Sequence, residues 1–388
     1  MKVLLYSKVF WPMIGGVETY TRLLAQGLGS RSGYDVTVAT AAQGPSTLPG
    51  MIARIVRVPT LPELWKLIRR SDVVLLAGPS LVPLALALLS RRPVFIEHHG
   101  YQACCPNGLL LFQPEQSVCP ERYRRGDVRS CLKCNWKTMG PIGSVASLVS
   151  TALRRLMCHH ASQNICVSQH VSKRLNLRNC RVIYHGLTAV ENARCQDAPI
   201  RNERPIVFAY VGRLTGEKGL PMLLAAASLL KAAAEDFQLR IIGDGPERIK
   251  IEKLAQRLNL SDKLVMTGLL SGESLQLALD DVSVVVMPSI WEETAGLAAL
   301  EQMTRGRTVI VADIGGLSEI VGDAGLKYQP GDIVGLADQM WQILDNTAIL
   351  ETYGERARTR ASQLFRHDQM VESHICAFNT VARRGIFS

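Results

Sequence analysis

Twice along this chain, short runs rich in β-branched residues alternate with segments of helical periodicity, and that alternation leaves few folds open. The first series is expected to place strands at residues 3–6, 35–40, 55–58, 73–77, 94–97, 163–167 and 181–184. The second places them at 206–211, 238–242, 263–267, 282–287 and 308–312. Helical patterns fall between the strands, and continuous apolar runs of this length read as buried strands of a parallel sheet covered on both faces. Between Thr188 and Pro205 the chain turns polar and irregular, which marks a linker. With 388 residues, each half is long enough to bury its own core. The expected architecture is α/β: two doubly wound Rossmann-like domains in tandem, with a ligand cleft between them.

The boundaries follow from these patterns. A first domain spans 1–190 with an irregular, cysteine-bearing insertion at 101–139, a linker spans 191–204, and a second domain spans 205–365. A last helix over 366–388 is expected to cross back to the first domain.

Composition narrows the partners. A hydrophobic fraction of 47% with 20% charged residues excludes a disordered chain. Leu81 to Leu89, the longest apolar run, is far too short to span a bilayer. Lys8 interrupts the apolar start of the chain, which reads as a strand rather than a signal peptide, so a cytoplasmic protein is expected. The formal charge of +10 suits partners bearing phosphate, such as a nucleotide, a lipid diphosphate or an anionic membrane surface. Nucleic acid is disfavoured: no zinc-finger, basic-zipper or ribonucleoprotein pattern is present, and only 6% of residues are aromatic.

The chemistry concentrates where strands end. In open α/β sheets, ligands bind beyond the carboxyl ends of the strands, where helix N-termini offer free N–H groups to anions. After the strand over 282–287 come Trp291, Glu292, Glu293 and Thr294, then Ala295, Gly296, Leu297 and a helix that carries Glu301 about two turns in. After the strand over 206–211, Arg213 and Lys218 flank flexible glycines. The glycine turn Gly243-Asp244-Gly245 follows the next strand, and Gly315-Gly316 with Glu319 follows the strand over 308–312. Near the start, Gly15 and Gly16 separate the first strand from a helix and let the backbone come close to a ligand. His98-His99 ends the strand over 94–97, where an imidazole can titrate or donate near neutral pH.

Residues 101–139 carry Cys104, Cys105, Cys119, Cys131 and Cys134. Cys131-Leu132-Lys133-Cys134 has the spacing of a zinc knuckle, and Cys105 with Cys119 would complete four thiolates. A long irregular segment needs something to hold it, and in a reducing compartment a structural zinc is the better candidate than disulfides. Buried free thiols, a redox pair or disulfides are the alternatives. Downstream, Val145, Leu148, Val149, Leu153 and Leu156 with Arg154 and Arg155 describe a basic amphipathic helix; most such helices pack on their own domain, and a basic amphipathic face also suits an anionic bilayer surface.

Taken in order, these motifs resemble the retaining glycosyltransferases of family 4 (glycosyl transferases group 1), which have the GT-B fold. PSIWEETAGLAALEQMTRGRTVIVADIGGLSEIV is similar to the family signature, with its Glu-x7-Glu motif at Glu293 and Glu301; VGRLTGEKGL is similar to its diphosphate-binding segment. HHGYQACCPNG aligns with the HDYxxxCP pattern of a subset of the family when His99 takes the active-site position, His98 being the alternative. Gly100 stands where that subset often has Asp, and His185-Gly186 where Asn-Gly is common.

The resemblance implies a UDP- or GDP-type sugar donor and a glycan or polyprenyl-linked acceptor. The basic charge and the helix with Arg154 and Arg155 lean toward a lipid-linked glycan growing at a membrane surface, as in capsule, exopolysaccharide or lipopolysaccharide O-antigen assembly, with the protein cytoplasmic or peripheral on the inner membrane face. The resemblance also carries roles for single residues. It assigns Arg213 and Lys218 to the donor diphosphate, Glu301 to the ribose, Glu293 and His99 to the sugar, and Gly15 and Gly16 to the approach of the sugar diphosphate. Gly243, Gly245, Thr294, Ala295, Gly296 and Leu297 would line the donor site. Transfer would need no cofactor and no divalent metal, since a guanidinium, an ammonium and helix N–H groups can stabilise the leaving diphosphate. The competing expectations are a GT-B-like epimerase or phosphorylase of sugar nucleotides, and a non-catalytic nucleotide-binding module.

Overall fold

The computed structural model describes residues 1–187, 205–233 and 236–385. The expected linker at 191–204 lies outside the described residues. The chain divides into two compact units. The first comprises Met1–Pro114, Cys119–Thr188 and Phe365–Ser388, and the second Glu115–Val118 and Ala189–Leu364.

The sheet of the first unit has seven strands: β1 (Lys2–Ser7), β2 (Asp35–Thr40), β3 (Arg54–Arg57), β4 (Val73–Ala77), β5 (Val94–His98), β6 (Gln163–Cys166) and β7 (Cys180–Val182). Their order is β3-β2-β1-β4-β5-β6-β7 and the paired strands run parallel, with Leu4 opposite Thr37 on one side and Val74 on the other. Helices α1 (Gly16–Gly29), α2 (Leu61–Arg70), α3 (Leu81–Leu89), α4 (Val128–His159) and α5 (Gln169–Leu175) connect them. Leu4, Leu5, Val74, Leu75, Phe95 and Ile96 are fully buried, the signature of central strands covered on both faces.

The second unit repeats the plan with β8 (Ile206–Val211), β9 (Phe237–Ile242), β10 (Leu264–Gly268), β11 (Val284–Met287), β12 (Thr308–Ala312) and β13 (Leu326–Tyr328), ordered β10-β9-β8-β11-β12-β13 and paired in parallel. Its helices are α6 (Leu220–Ala233), α7 (Arg248–Arg257), α8 (Gly272–Leu279), α9 (Leu297–Thr304), α10 (Gly315–Val321), α11 (Ile333–Asp345) and α12 (Ala348–Leu364). In each sheet the order reverses beside the first strand of the unit, between β1 and β4 and between β8 and β11. That reversal opens a crevice at the strands' carboxyl ends. The edge strand β13 escaped the sequence pattern because three residues are too few to show a period.

The last helix, α13 (His367–Gly385), belongs to the first unit and packs on α1. His367 Nε2 lies 2.9 Å from the Leu23 carbonyl, and Met370, Val371, Ala377 and Phe378 are buried. Among the described residues, no helix is long and apolar enough to cross a membrane.

One expectation needs correcting. The insertion at 101–139 is not irregular to its end, because α4 begins at Val128, with the Asp127 side chain accepting from the Ser130 N–H at 3.1 Å as its N-cap. Gly140, at φ 68°, kinks this helix before Pro141. The first segment shows no hydropathy pattern because the side chains it buries are Cys131, Cys134 and Asn135 rather than aliphatics.

Candidate active site

In the second unit, the turn after β8 is fixed by Tyr210, whose hydroxyl donates to the Arg213 carbonyl at 2.8 Å. Burial, followed by the carboxylates of Glu293 and Glu217, pushes the Tyr210 pKa well above its ordinary value, so this hydroxyl stays a neutral donor. Gly243, in the turn after β9, packs so tightly here that a Cβ would sit 1.9 Å from the Gly212 carbonyl oxygen, and its φ of +144° favours glycine. A Cβ on Gly245 would likewise sit 2.5 Å from the Leu214 carbonyl oxygen. The two glycine turns are thus pressed backbone to backbone.

A short 3-10 turn over Gly216–Lys218 then delivers Lys218 to the end of β11. Gly219, at φ +68°, lies against Pro288, where a Cβ would come within 1.9 Å of the carbonyl oxygen. Lys218 Nζ is 2.9 Å from Glu293 Oε1 and 5.6 Å from the centre of the Trp291 ring. The Ser289 hydroxyl donates to the same carboxylate oxygen. The Lys218 and Glu293 side chains are only 13% and 6% exposed, so this ion pair is largely removed from solvent. Behind it, the Gly316 N–H donates to the Glu293 carbonyl at 2.6 Å, tying the start of α10 to the turn that carries the carboxylate.

Helix α9 begins at Leu297 with Gly296, in the left-handed region at φ 63°, as its N-cap and with no side-chain cap. Ala295 is buried, while Thr294 and Leu297 are half-buried. Glu301 is the fifth residue of α9, little more than one turn from its start rather than two. Even counted from the Gly296 N-cap, Glu301 is only about 1.4 turns on, so the expected two turns overstated the distance. Glu293 and Glu301 therefore sit in the turn and in the opening of the helix that follow β11. Ser289, which donates to Glu293, and Trp291, which lies beside Lys218, were not singled out as site residues by the sequence.

In the first unit, the end of β5 holds a buried polar cluster that the sequence disclosed only in part. Glu97 is fully buried, with Oε1 2.8 Å from His374 Nε2 and Oε2 3.5 Å from His99 Nε2, and it accepts the Tyr20 hydroxyl. Burial alone would raise the Glu97 pKa, but hydrogen bonds from His374 and His99 outweigh it and hold the carboxyl at about 2. The His99 ring lies 4.8 Å from the Tyr20 ring and 5.5 Å from the His185 ring, centre to centre. Burial, reinforced by His99, holds His185 down at about 3.

His98 points elsewhere. It is fully buried, with Nε2 donating to Asn164 Oδ1 of β6 at 2.8 Å, and burial lowers its pKa to about 4. Of the two adjacent histidines, His98 is engaged in strand-to-strand packing, while His99 joins the cluster around Glu97. Gly15 is the N-cap of α1 and Gly16 its first residue.

Cys105, Cys119, Cys131 and Cys134 line one small cavity of about 10 Å³, together with Asn107, Arg122 and Asn135. All four are buried free thiols. The Asn107 amide and the Gln113 N–H donate to Cys134 Sγ at 3.3 and 3.4 Å, and the Cys105 thiol donates to Asn107 Oδ1 at 2.9 Å. Burial pushes Cys105 up to about 11 and Cys131 up to about 12, which keeps those thiols neutral. Among the described residues, no three such side chains are already spaced to hold a metal ion.

Comparison with known proteins places this geometry. Residues 14–189 match the model described as Glycosyltransferase Family 4, and residues 194–360 match the one described as Glycosyl transferases group 1. The chain is 35% identical over 158 residues to the alpha-D-kanosaminyltransferase of Streptomyces kanamyceticus, covering 40% of each protein. It is 30% identical over 178 residues to the O-antigen chain mannosyltransferase C of Escherichia coli, covering 45% of this chain and 46% of that one. The matched region thus spans less than half the length of these curated relatives. In fold, the chain resembles Anabaena HepE in complex with UDP, with a TM-score of 0.72 at 18% identity over 98% of this chain and 100% of the other. Two tandem doubly wound units and two contiguous family matches agree, and the chain belongs to glycosyltransferase family 4, the glycosyl transferases group 1, with the GT-B fold.

Proposed function

We propose that the protein is a retaining glycosyltransferase that moves a sugar from a nucleoside diphosphate donor to a glycan or lipid-linked acceptor in surface polysaccharide assembly. The observation that carries this reading is the largely buried Lys218–Glu293 pair, 2.9 Å apart, beyond the ends of β8 and β11. A cation and a carboxylate at that position match the two needs of a sugar nucleotide: charge for the diphosphate and hydrogen-bond acceptors for sugar hydroxyls.

Arg213 and Lys218 then hold the diphosphate, Glu301 accepts hydrogen bonds from the ribose, and Glu293 holds the sugar. The glycine turns at Gly243 and Gly245 and the residues Thr294, Ala295, Gly296 and Leu297 line the donor. His99 keeps the role that the family resemblance implies for it, orienting the transferred sugar, and Gly15 and Gly16 admit the sugar diphosphate. In the transfer, the bond from the anomeric carbon to the phosphate oxygen breaks as the acceptor oxygen bonds to that carbon on the same face. The departing phosphate oxygen takes the acceptor's proton, and the cations of Arg213 and Lys218 balance its charge without a divalent metal.

UDP in the HepE complex and an O-antigen chain transferase among the relatives support a UDP-type donor, with GDP as the other base to test, and a polysaccharide acceptor. The excess of positive charge supports work at the inner face of a membrane. A structural zinc on Cys105, Cys119, Cys131 and Cys134 is supported by their lining one cavity. A panel of nucleotide sugars in a thermal-shift assay, followed by transfer assays with the best binder, tests the reading. Stabilisation by one nucleotide sugar and its consumption only with acceptor present are expected, and no stabilisation by any of them rejects the reading.

A further inference from the structure

The second segment of α4, after the kink at Gly140, is built inside out. Its buried residues are Ser144, Ser147, Thr151 and Cys158. Facing solvent are Ile142, Val145, Val149, Leu153 and Leu156, exposed by 85, 53, 56, 47 and 57%. A helix serving only its own core shows the opposite arrangement. The inward face works because its hydroxyls are satisfied locally: Ser144 Oγ donates to the Gly140 carbonyl at 2.6 Å, Ser147 Oγ to Ser144 at 2.7 Å and Thr151 Oγ1 to Ser147 at 2.8 Å. Small side chains allow the helix to pack, so the core does not require the outward aliphatics.

Those aliphatics recur at spacings of three and four from Ile142 to Leu156, forming one straight stripe about 21 Å long. Before the kink, Trp136 and Met139 are exposed as well, at 56 and 41%. From Val128 to His160 the chain contains Arg129, Lys133, Lys137, Arg154 and Arg155 and no acidic residue. Arg129, Lys133 and Lys137 are exposed. A second copy of this chain would bring like charges together, which disfavours self-association through this face. An apolar stripe on a helix whose whole sequence carries five cations and no carboxylate fits a planar, anionic, partly apolar surface.

We propose that α4 is the membrane-docking face of the protein: the stripe from Ile142 to Leu156 sinks into the headgroup and acyl boundary of a bilayer whose anionic lipids are held by Arg129, Lys133 and Lys137. The inference deepens the reading of a lipid-linked acceptor and rests on it for its purpose, though not for its evidence.

The test is sedimentation of the full chain with vesicles of phosphatidylcholine alone and of phosphatidylcholine mixed with phosphatidylglycerol. Binding to the anionic vesicles that weakens with salt is expected, with little to the neutral ones. The double substitution Val149→Asp with Leu153→Asp, and separately Arg129→Glu with Lys137→Glu, should each weaken it at least about tenfold. Both alter exposed side chains, so circular dichroism and nucleotide-sugar binding in lipid-free solution should match the unmodified chain. Anionic-vesicle binding that is absent, or that survives both double substitutions, overturns the inference. So does a dimer in lipid-free solution that Val149→Asp with Leu153→Asp dissolves, which would assign the face to a second copy. Donor binding is read without lipid, so its failure would reject the transferase reading while leaving the vesicle result to stand.

Discussion

Lys218 Nζ and Glu293 Oε1 lie 2.9 Å apart, so the ammonium assigned to the donor diphosphate is already paired with the carboxylate assigned to the donor sugar. Binding a sugar nucleotide must therefore exchange one anion for another at Lys218. Glu293→Gln removes the competitor. Transfer should fall about a hundredfold or more, while binding of the free nucleoside diphosphate holds or tightens. Calorimetric titration with the diphosphate, run beside the transfer assay, checks this; a parallel loss of both would break the division of roles.

Removing the cation instead leaves a carboxylate that is 6% exposed without its counter-charge. Lys218→Ala should abolish transfer and cost about 3 kcal/mol of stability, whereas the double variant with Glu293→Gln should recover stability but not activity. Urea unfolding of the three variants separates the structural part from the catalytic one.

Glu301, one turn into α9, is assigned to the ribose. Glu301→Ala should weaken binding of nucleoside diphosphates by about 10- to 100-fold, the worth of hydrogen bonds to a charged acceptor. The same substitution should have less effect on a ribose-free pyrophosphate, and equal losses for both ligands would move Glu301 out of the ribose contact.

Acid should destabilise the first unit in two overlapping stages. His98 and His185 titrate at about 4 and about 3 in the folded chain, against 6.5 ordinarily, so protons bind the unfolded chain first. Their contribution is complete above pH 6.5 and declines as pH falls toward those values, by on the order of 3 kcal/mol for His98 and about 5 kcal/mol for His185. Glu97 adds a second stage: at about 2 when folded against 4.5 ordinarily, its contribution is present above 4.5 and is lost as pH falls toward 2. Urea melts between pH 6.5 and 4.5 should show the first stage, with a shallower slope in His185→Phe.

Metal analysis of the purified protein should find about one zinc per chain. A chelator should lower the melting temperature, and Cys131→Ser or Cys134→Ser should remove the metal. Four reduced thiols without metal would leave the cavity beside Asn107 as plain packing.

The sequence alone determined the repeating strand and helix plan, because apolar periodicity is local and survives without any knowledge of contacts. It also placed the chemistry at the strand ends, since Glu293, Lys218 and the glycine turns occupy positions set by that plan. Tertiary structure decided the pairings. Lys218 meets Glu293 across 75 residues and Glu97 meets His374 across 277, and no local pattern encodes a contact between such distant positions. It also separated His98, held by Asn164, from His99, which joins Tyr20 and His185. Periodicity at 145–156 revealed an amphipathic helix but not which face is buried. Packing settled that the serines face inward and the aliphatics outward, because burial depends on what the rest of the unit places against the helix.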